Sequence, residues 1–400
     1  MSNPIDLYAM RFWLFAGAGI AVLNPIVAPR ARQWAFAALN LGFIAAFLGT
    51  SERFAAVAAS LLAIRLALAM MRPGRSGATL ATALGAAAVA GLFLVHKRPE
   101  LLAGRMPAAG NLEAVLVTVG FSYVALRLYE LARAVREGRH QPPDLASMVN
   151  YLLPFHMLAA GPIQAYDDFV DQPPIPPPLD IDASLDALGR IASGLFKKYV
   201  LARLIQEVFL TDYRSVGWYV VVEAQLTFLW LFLDFSAYSD VAVGVGRLMG
   251  VPTPENFNNP LLARNIIEFW ERWHISLSMF IRRNVFIPLQ LALMRRSEAS
   301  RPLLVASLAF TASFLLCGLW HQVGWRWLAW GAFHAAGLIA CNLYRHRLNK
   351  RLGRKGVNRY MERPWIRLAA IFLTFEFNAA AVFLVTYPFE VPTWISGHGY

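Results

Sequence analysis

Apolar residues run along this chain in long, nearly uninterrupted stretches, at 10–28, 34–49, 54–71, 77–96 and 112–131, and again at 216–233, 303–319, 325–343 and 364–387. A helix crossing the hydrocarbon core of a bilayer needs about 20 predominantly apolar residues, because no water is available there to satisfy its backbone. Most stretches reach that length, several only just, which predicts short, tilted or half-buried helices among them. The expected fold class is all-α, a polytopic integral membrane protein with about 9–12 transmembrane or re-entrant helices. The first stretch lacks the small-residue cleavage pattern of a signal peptide and is followed at once by another, so it is expected to be retained.

Composition agrees: 57% of the 400 residues are hydrophobic and 16% charged, against about 25% charged in an average soluble domain. The net charge of +12 matters through its placement. Basic residues cluster at Arg30 and Arg32, at Arg72 and Arg75, at Arg133, Arg136 and Arg139, at Arg295, Arg296 and Arg301, and from Arg345 to Arg359. Lys and Arg gather on the cytoplasmic side of membranes. Alternating the spans then puts the N-terminus outside and the turn at 320–325 toward the outer face, with Lys97, Arg98 and Arg105 opposing that orientation. These charges flank spans and form no face with aromatic stacking platforms, which argues against nucleic acid. The two cysteines, Cys317 and Cys341, are too few for a disulfide framework and read as small buried hydrophobes.

The middle of the chain has another character. Tyr151 to Ile163, YLLPFHMLAAGPI, is apolar but broken by Pro154, Gly161 and Pro162, which predicts a re-entrant or buried irregular segment. A proline-rich connector, QPPIPPPLD, follows and favours extended geometry. Beyond Asp182, Leu185, Leu188, Ala192, Leu195, Tyr199 and Ala202 recur at three- or four-residue steps, with Asp186, Arg190, Ser193 and Lys197 between them. This predicts an amphipathic helix at the interface or on the bundle, with Lys197 and Lys198 available to lipid phosphates or an acidic partner. The expected organisation is N-terminal transmembrane helices at 1–140, a core at 141–345 with the re-entrant and amphipathic segments, and a basic cytoplasmic loop plus a last span at 346–400.

Ionisable groups are expensive inside a bilayer, so those embedded in apolar sequence are functional candidates. Three regions qualify. In Asp234 to Arg247, DFSAYSDVAVGVGR, helical spacing sets Asp234 one turn from Tyr238 and Ser236 one turn from Asp240; interhelical hydrogen bonds and ion pairs are the first reading, a cavity wall the second. In Asn256 to Leu289 the spacing puts Trp270, His274 and Ser278 on one stripe, where a lone histidine is more often structural. In Cys317 to Gly337, His321 sits at the hairpin tip beside Trp320, Trp325, Trp327 and Trp330, and His334 follows about halfway down the next span. A histidine held neutral in a dry site can act as a general base. Spacing alone leaves catalysis and structural hydrogen bonding equally open for His321 and favours structure for His334. There is no GxSxG, GxxxxGK[ST] or HExxH motif, and the histidines lack a carboxylate or thiolate at ligand spacing, so no metal is expected.

At these residues the chain resembles the membrane-bound O-acyltransferase family, in particular its bacterial branch of alginate O-acetyltransferases and D-alanyl transfer proteins. The resemblance runs from about Tyr151 to Gly337 and comprises the segment ending at Ile163, GLFKKYVLA from Gly194, DFSAYSDVAVGVGRLMG from Asp234, ENFNNP from Glu255, EFWERWHISLS from Glu268 and GLWH from Gly318. One such motif would be weak; the series in order is specific. It implies an O-acyltransferase with His321 as the essential histidine and His274 as the second characteristic polar residue, on segments that converge in a catalytic tunnel through the membrane domain. Trp273, Asn284 and Trp320 would line that tunnel. His321 would take the acceptor's proton, and His274 would orient an intermediate or stabilise its oxyanion. The donor would be a cytoplasmic thioester, acetyl-CoA or an acyl-carrier protein, with no tightly bound cofactor. The acceptor would be a glycan hydroxyl on the other side. Membrane lipids, the carrier protein and an extracytoplasmic acyltransferase are the implied partners, and the bacterial cytoplasmic (inner) membrane the implied location.

The chain departs from the family pattern at Gln322 and Val323, where glycine commonly follows Trp-His, and at Arg283-Asn284-Val285, where Arg-Asp-Tyr is usual. It also stops at Tyr400, one span past the basic loop. The alternative from a different class is a non-catalytic transporter or flippase of glycan or lipid. Such folds often show repeated halves, and none is apparent in this sequence.

Overall fold

The computed structural model describes residues 10–98, 109–171, 181–210, 219–296 and 301–386. The proline-rich connector, Arg105, the start of the stretch at 216 and the residues from 387 lie outside them. Among the described residues every regular element is helical. In chain order these are α1 (Met10–Leu23), α2 (Pro29–Leu48), α3 (Ser51–Met70), α4 (Ala78–Lys97), α5 (Ala109–Thr118), α6 (Phe121–Arg136), α7 (Leu145–Leu152), α8 (Tyr166–Asp171), α9 (Ile181–Phe196) and α10 (Arg203–Ile205). They continue with α11 (Tyr219–Leu248), α12 (Ile266–Arg272), α13 (Ile275–Ile281), α14 (Ile287–Arg296), α15 (Pro302–His321), α16 (Trp325–Met361) and α17 (Pro364–Thr386). Six of them, α2, α3, α4, α11, α15 and α17, are long and apolar enough to cross a membrane. The protein is an all-α, multi-pass integral membrane protein. The stretch expected at 112–131 is a broken element instead: α5 and α6 meet at 74° around Gly120, whose φ of 60° is left-handed and whose β-carbon, if present, would overlap the Leu158 carbonyl.

The chain groups into two units that interleave in sequence. The first contains α1 to α9, the part of α11 from Asp234, and the segments Asp234–Asn258 and Trp270–Asn284. Its core is aromatic, with the Phe155 ring 5.8 Å from Phe12 and 5.2 Å from Phe43. Phe155 belongs to the irregular segment predicted from its prolines and glycine, and the structure shows how that segment survives burial. Fully buried Arg127 donates to the carbonyls of Leu152 (3.2 Å), Met157 (3.0 Å) and Pro162 (2.9 Å). Asn40 Oδ1 accepts the Phe155 N–H at 2.9 Å. Side chains thus replace the backbone partners that a helix would have supplied. Arg32 likewise donates to the carbonyls of Leu23 and of Met249 (2.6 Å), capping the ends of α1 and α11.

Helix α9 is amphipathic as expected, but its inner face is the small one. Ala187, Ile191 and Gly194 are buried against the far part of α11, while Leu185, Leu188 and Tyr199 face outward. In a membrane protein the large aliphatics belong on the lipid side and the small residues where backbones approach. Past Phe196 the helix continues as a π-helical turn, Lys197–Ala202.

The second unit contains the first part of α11 and α14 to α17. Helices α15 and α16 form a hairpin closed by Gln322 to Gly324. Their contact is backbone to backbone: a β-carbon on Gly318 would overlap the Trp327 carbonyl, and one on Gly331 the Phe314 carbonyl. Helix α16 runs on to Met361, interrupted at Gly353 (φ 65°). The basic stretch from Arg345 to Arg359, expected as a loop, is therefore helical, in keeping with the high helix propensity of its Arg, Lys and Leu residues.

Candidate functional site

In the first unit, the second candidate histidine is held by an irregular turn. The chain at Asn256 to Asn258 zips against Arg272 to Ile275, with Asn258 N–H donating to the Arg272 carbonyl and Ile275 N–H to the Asn256 carbonyl, both at 2.9 Å. Phe257 and Trp273 form the antiparallel bridge between them, rings 5.1 Å apart and nearly perpendicular. This pairing stops α12 at Arg272 and restarts the helix at Ile275, so Trp270, His274 and Ser278 do not share the continuous stripe that helical spacing predicted. His274 takes a left-handed backbone conformation, φ 43° and ψ 52°, uncommon for a residue with a β-carbon. Its buried ring packs edge-on to Phe235 at 4.7 Å, and its Nδ1 lies 3.0 Å from Asn256 Oδ1. That oxygen also accepts the Ser276 hydroxyl (2.8 Å) and the Ser276 N–H (3.3 Å).

Trp273 is buried in this turn. Asn284 lies in a charged cluster: its amide donates to Glu130 Oε1 (2.7 Å) and its oxygen accepts from Arg133 (2.8 Å). Arg283 reaches the same Glu130 oxygen at 2.8 Å. The carboxylate missing from the Arg283-Asn284-Val285 stretch is matched by one from α6. Arg127 and Glu130 both escaped the sequence reading, although the rule that flags ionisable groups in apolar runs applies to each.

The polar motif on α11 is paired. Asp240 accepts from Lys197 Nζ (2.6 Å) and Arg190 Nε (2.8 Å), and Asp234 from Lys198. Arg190 also grips Glu255 at 2.8 and 2.5 Å. Burial alone would lower the Arg190 pKa, but its hydrogen bonds to Glu255 and Asp240 outweigh that and raise it. Lys197 and Lys198, expected to be available to lipid or an acidic partner, each pair with a carboxylate of this chain's own α11. The π-helical turn begins at these lysines.

In the second unit, His321 is the last residue of α15 and half-buried. Its ring stacks on Trp327 at 4.7 Å and 19°, with Trp320 at 4.8 Å and Trp330 at 5.4 Å. Trp327 Nε1 donates to Gln322 Oε1 at 3.1 Å, so the residue that departs from the family pattern braces the stacking ring. His334 is buried on α16 among Trp330, Phe314 and Phe377, an aromatic packing role. Buried His156, 3.0 Å from Thr253 Oγ1, is a further histidine that sequence pattern left unremarked.

Comparison with known proteins places these motifs. The model of the membrane-bound O-acyltransferase family matches residues 66–375. A teichoic acid D-alanyltransferase of Streptococcus thermophilus is 28% identical over 291 residues, 70% of this chain and 70% of that protein. A peptidoglycan O-acetyltransferase of Helicobacter pylori is 32% identical over 213 residues, 52% of this chain and 38% of that protein. A probable alginate O-acetylase AlgI of Pseudomonas aeruginosa is 32% identical over 236 residues, 56% of this chain and 42% of that protein. The chain thus spans less than half the length of these two acetyl-transferring relatives.

Proposed function

The chain belongs to the membrane-bound O-acyltransferase family, and we propose that it transfers an acyl group, most simply acetyl, from a cytoplasmic thioester to hydroxyls of an exported or cell-surface polysaccharide in the bacterial inner membrane. His321 is the general base. It accepts the proton of the acceptor hydroxyl as that oxygen attacks the thioester carbonyl. The tetrahedral intermediate then collapses, and the departing thiolate takes the proton back from the imidazolium. A positioned base of this kind contributes about 10²–10⁴ in rate, and a dry aromatic surround protects the thioester from water.

The observation that carries this reading is the His321 ring clasped by Trp320, Trp327 and Trp330 at the end of α15. Three indoles hold the imidazole in one orientation while its half-exposed position leaves it reachable. Trp320 packs on His321, and in the first unit Trp273 belongs to the turn that carries His274, the second candidate histidine. Acetylation is favoured over D-alanylation by the two acetyl-transferring relatives, each at 32% identity. The test is incubation of the purified protein with radiolabelled acetyl-CoA, acetyl-loaded carrier protein and D-alanyl-loaded carrier protein. Label passing to polysaccharide hydroxyls from an acetyl donor is expected; label from the D-alanyl donor alone would replace that assignment.

A further inference from the structure

Asn256, Ser239 and Ser276 come from three different motifs, and the direction of each hydrogen bond among them follows from which atoms can donate. A backbone N–H only donates, so the Asn256 amide atom that meets the Ser276 N–H at 3.3 Å is the oxygen. The amide nitrogen then donates to Ser239 Oγ at 3.3 Å. The Ser239 hydroxyl gives its own proton to the Phe235 carbonyl at 3.2 Å, leaving a lone pair for that amide. With the amide oriented from both sides, His274 Nδ1, 3.0 Å from Asn256 Oδ1, is a donor. A neutral imidazole carries one N–H and one lone pair, and which nitrogen holds which is set by such a partner.

We propose that Asn256 is the positioning residue of His274, fixing it as the Nδ1–H tautomer with the ring's lone pair on the buried Nε2. The part His274 plays in acyl transfer rests on the acyltransferase reading; the tautomer does not. This replaces the oxyanion role that the family resemblance suggested, because an oxyanion needs donors and neutral His274 spends its N–H on Asn256. The perpendicular Phe235 ring, 4.7 Å away, packs against the imidazole and opposes its turning.

The test is nuclear magnetic resonance of the full-length protein in detergent, with isotope-labelled histidine ring nitrogens and the His274 signal identified by its loss in His274→Asn. Neutral His274 is expected to show a protonated Nδ1 and an unprotonated Nε2. Asn256→Asp, which keeps an acceptor oxygen, preserves that pattern, whereas Asn256→Leu abolishes it and lowers kcat roughly tenfold or more, the equivalent of about 1.4 kcal/mol. A protonated Nε2 in the wild-type protein, or an unchanged pattern in Asn256→Leu, would overturn the proposal. The expected tautomer in a protein that transfers no acyl group from any donor would overturn the part given to His274 in acyl transfer and leave the Asn256–His274 pairing standing.

Discussion

Gly318 and Trp327 meet backbone to backbone: where a side chain on Gly318 would begin, the Trp327 carbonyl oxygen already sits. The contact lies one turn before His321 and on the same residue whose indole stacks on the His321 ring. The glycine of the GLWH motif is therefore explained by packing. One close approach sets the spacing at which the indole can hold the imidazole.

Gly318→Ala is expected to destabilise the protein by about 1–3 kcal/mol, because a backbone carbonyl cannot yield as a flexible side chain does. Gly91→Ala in α4, where a β-carbon meets nothing within 4 Å, should be neutral or stabilising by up to about 1 kcal/mol. Thermal unfolding of both variants in detergent checks the pair. Equal behaviour would contradict the hairpin packing.

Trp327→Leu is expected to preserve the fold and lower kcat by up to about tenfold, since an aromatic pair is worth about 0.5–1.5 kcal/mol beyond its buried area. Trp327→Phe should restore most of that loss. Acyl-transfer rates at saturating donor, beside melting temperatures, separate a positioning effect from a loss of stability.

Arg127→Met removes the donor for three buried carbonyls. Each loses its partner at about 1–3 kcal/mol, so the expected result is severe destabilisation, with little protein surviving extraction in folded form. Size-exclusion chromatography of the detergent-solubilised variant reads this out. A monodisperse, wild-type-like profile would mean that the segment from Leu152 to Pro162 is held by something other than the guanidinium.

Asp240→Asn and Asp234→Asn test the two lysine pairs against each other. Asp240 is only 10% exposed and serves two cations, whereas Asp234 is 30% exposed and pairs with Lys198. Asp240→Asn should cost about 1.5–3 kcal/mol, the range for hydrogen bonds to charged groups. Asp234→Asn should cost under about 1 kcal/mol, as exposed pairs do. Thermal unfolding of the two variants decides the order.

Particular residues show how far the sequence could be read. The spans were legible because a water-soluble fold rarely strings together apolar runs of bilayer length, and Pro154, Gly161 and Pro162 announced an irregular segment on their own. What made that segment tolerable was not visible: Arg127, 25 residues before Leu152, is joined to it only by folding. His274 shows the same limit. Its helical stripe with Trp270 and Ser278 was a reasonable reading of spacing, but the pairing of Asn256–Asn258 with Arg272–Ile275 breaks the helix, and a long-range backbone pairing leaves no local pattern. Lys197 and Lys198 looked like surface charge because their acidic partners lie about 40 residues away. The basic stretch after Leu343 looked like a loop because charge masked its helix propensity.

The most direct measurement of the central claim is the amount of ester-linked acyl group on cell-envelope polysaccharide in cells carrying His321→Ala, with the variant present in the membrane at the wild-type level. The account predicts a fall of at least about 100-fold, the lower range for a lost general base, with polymer still exported. Undiminished esters would contradict it, and lost export without any change in ester content per polymer would favour a transporter.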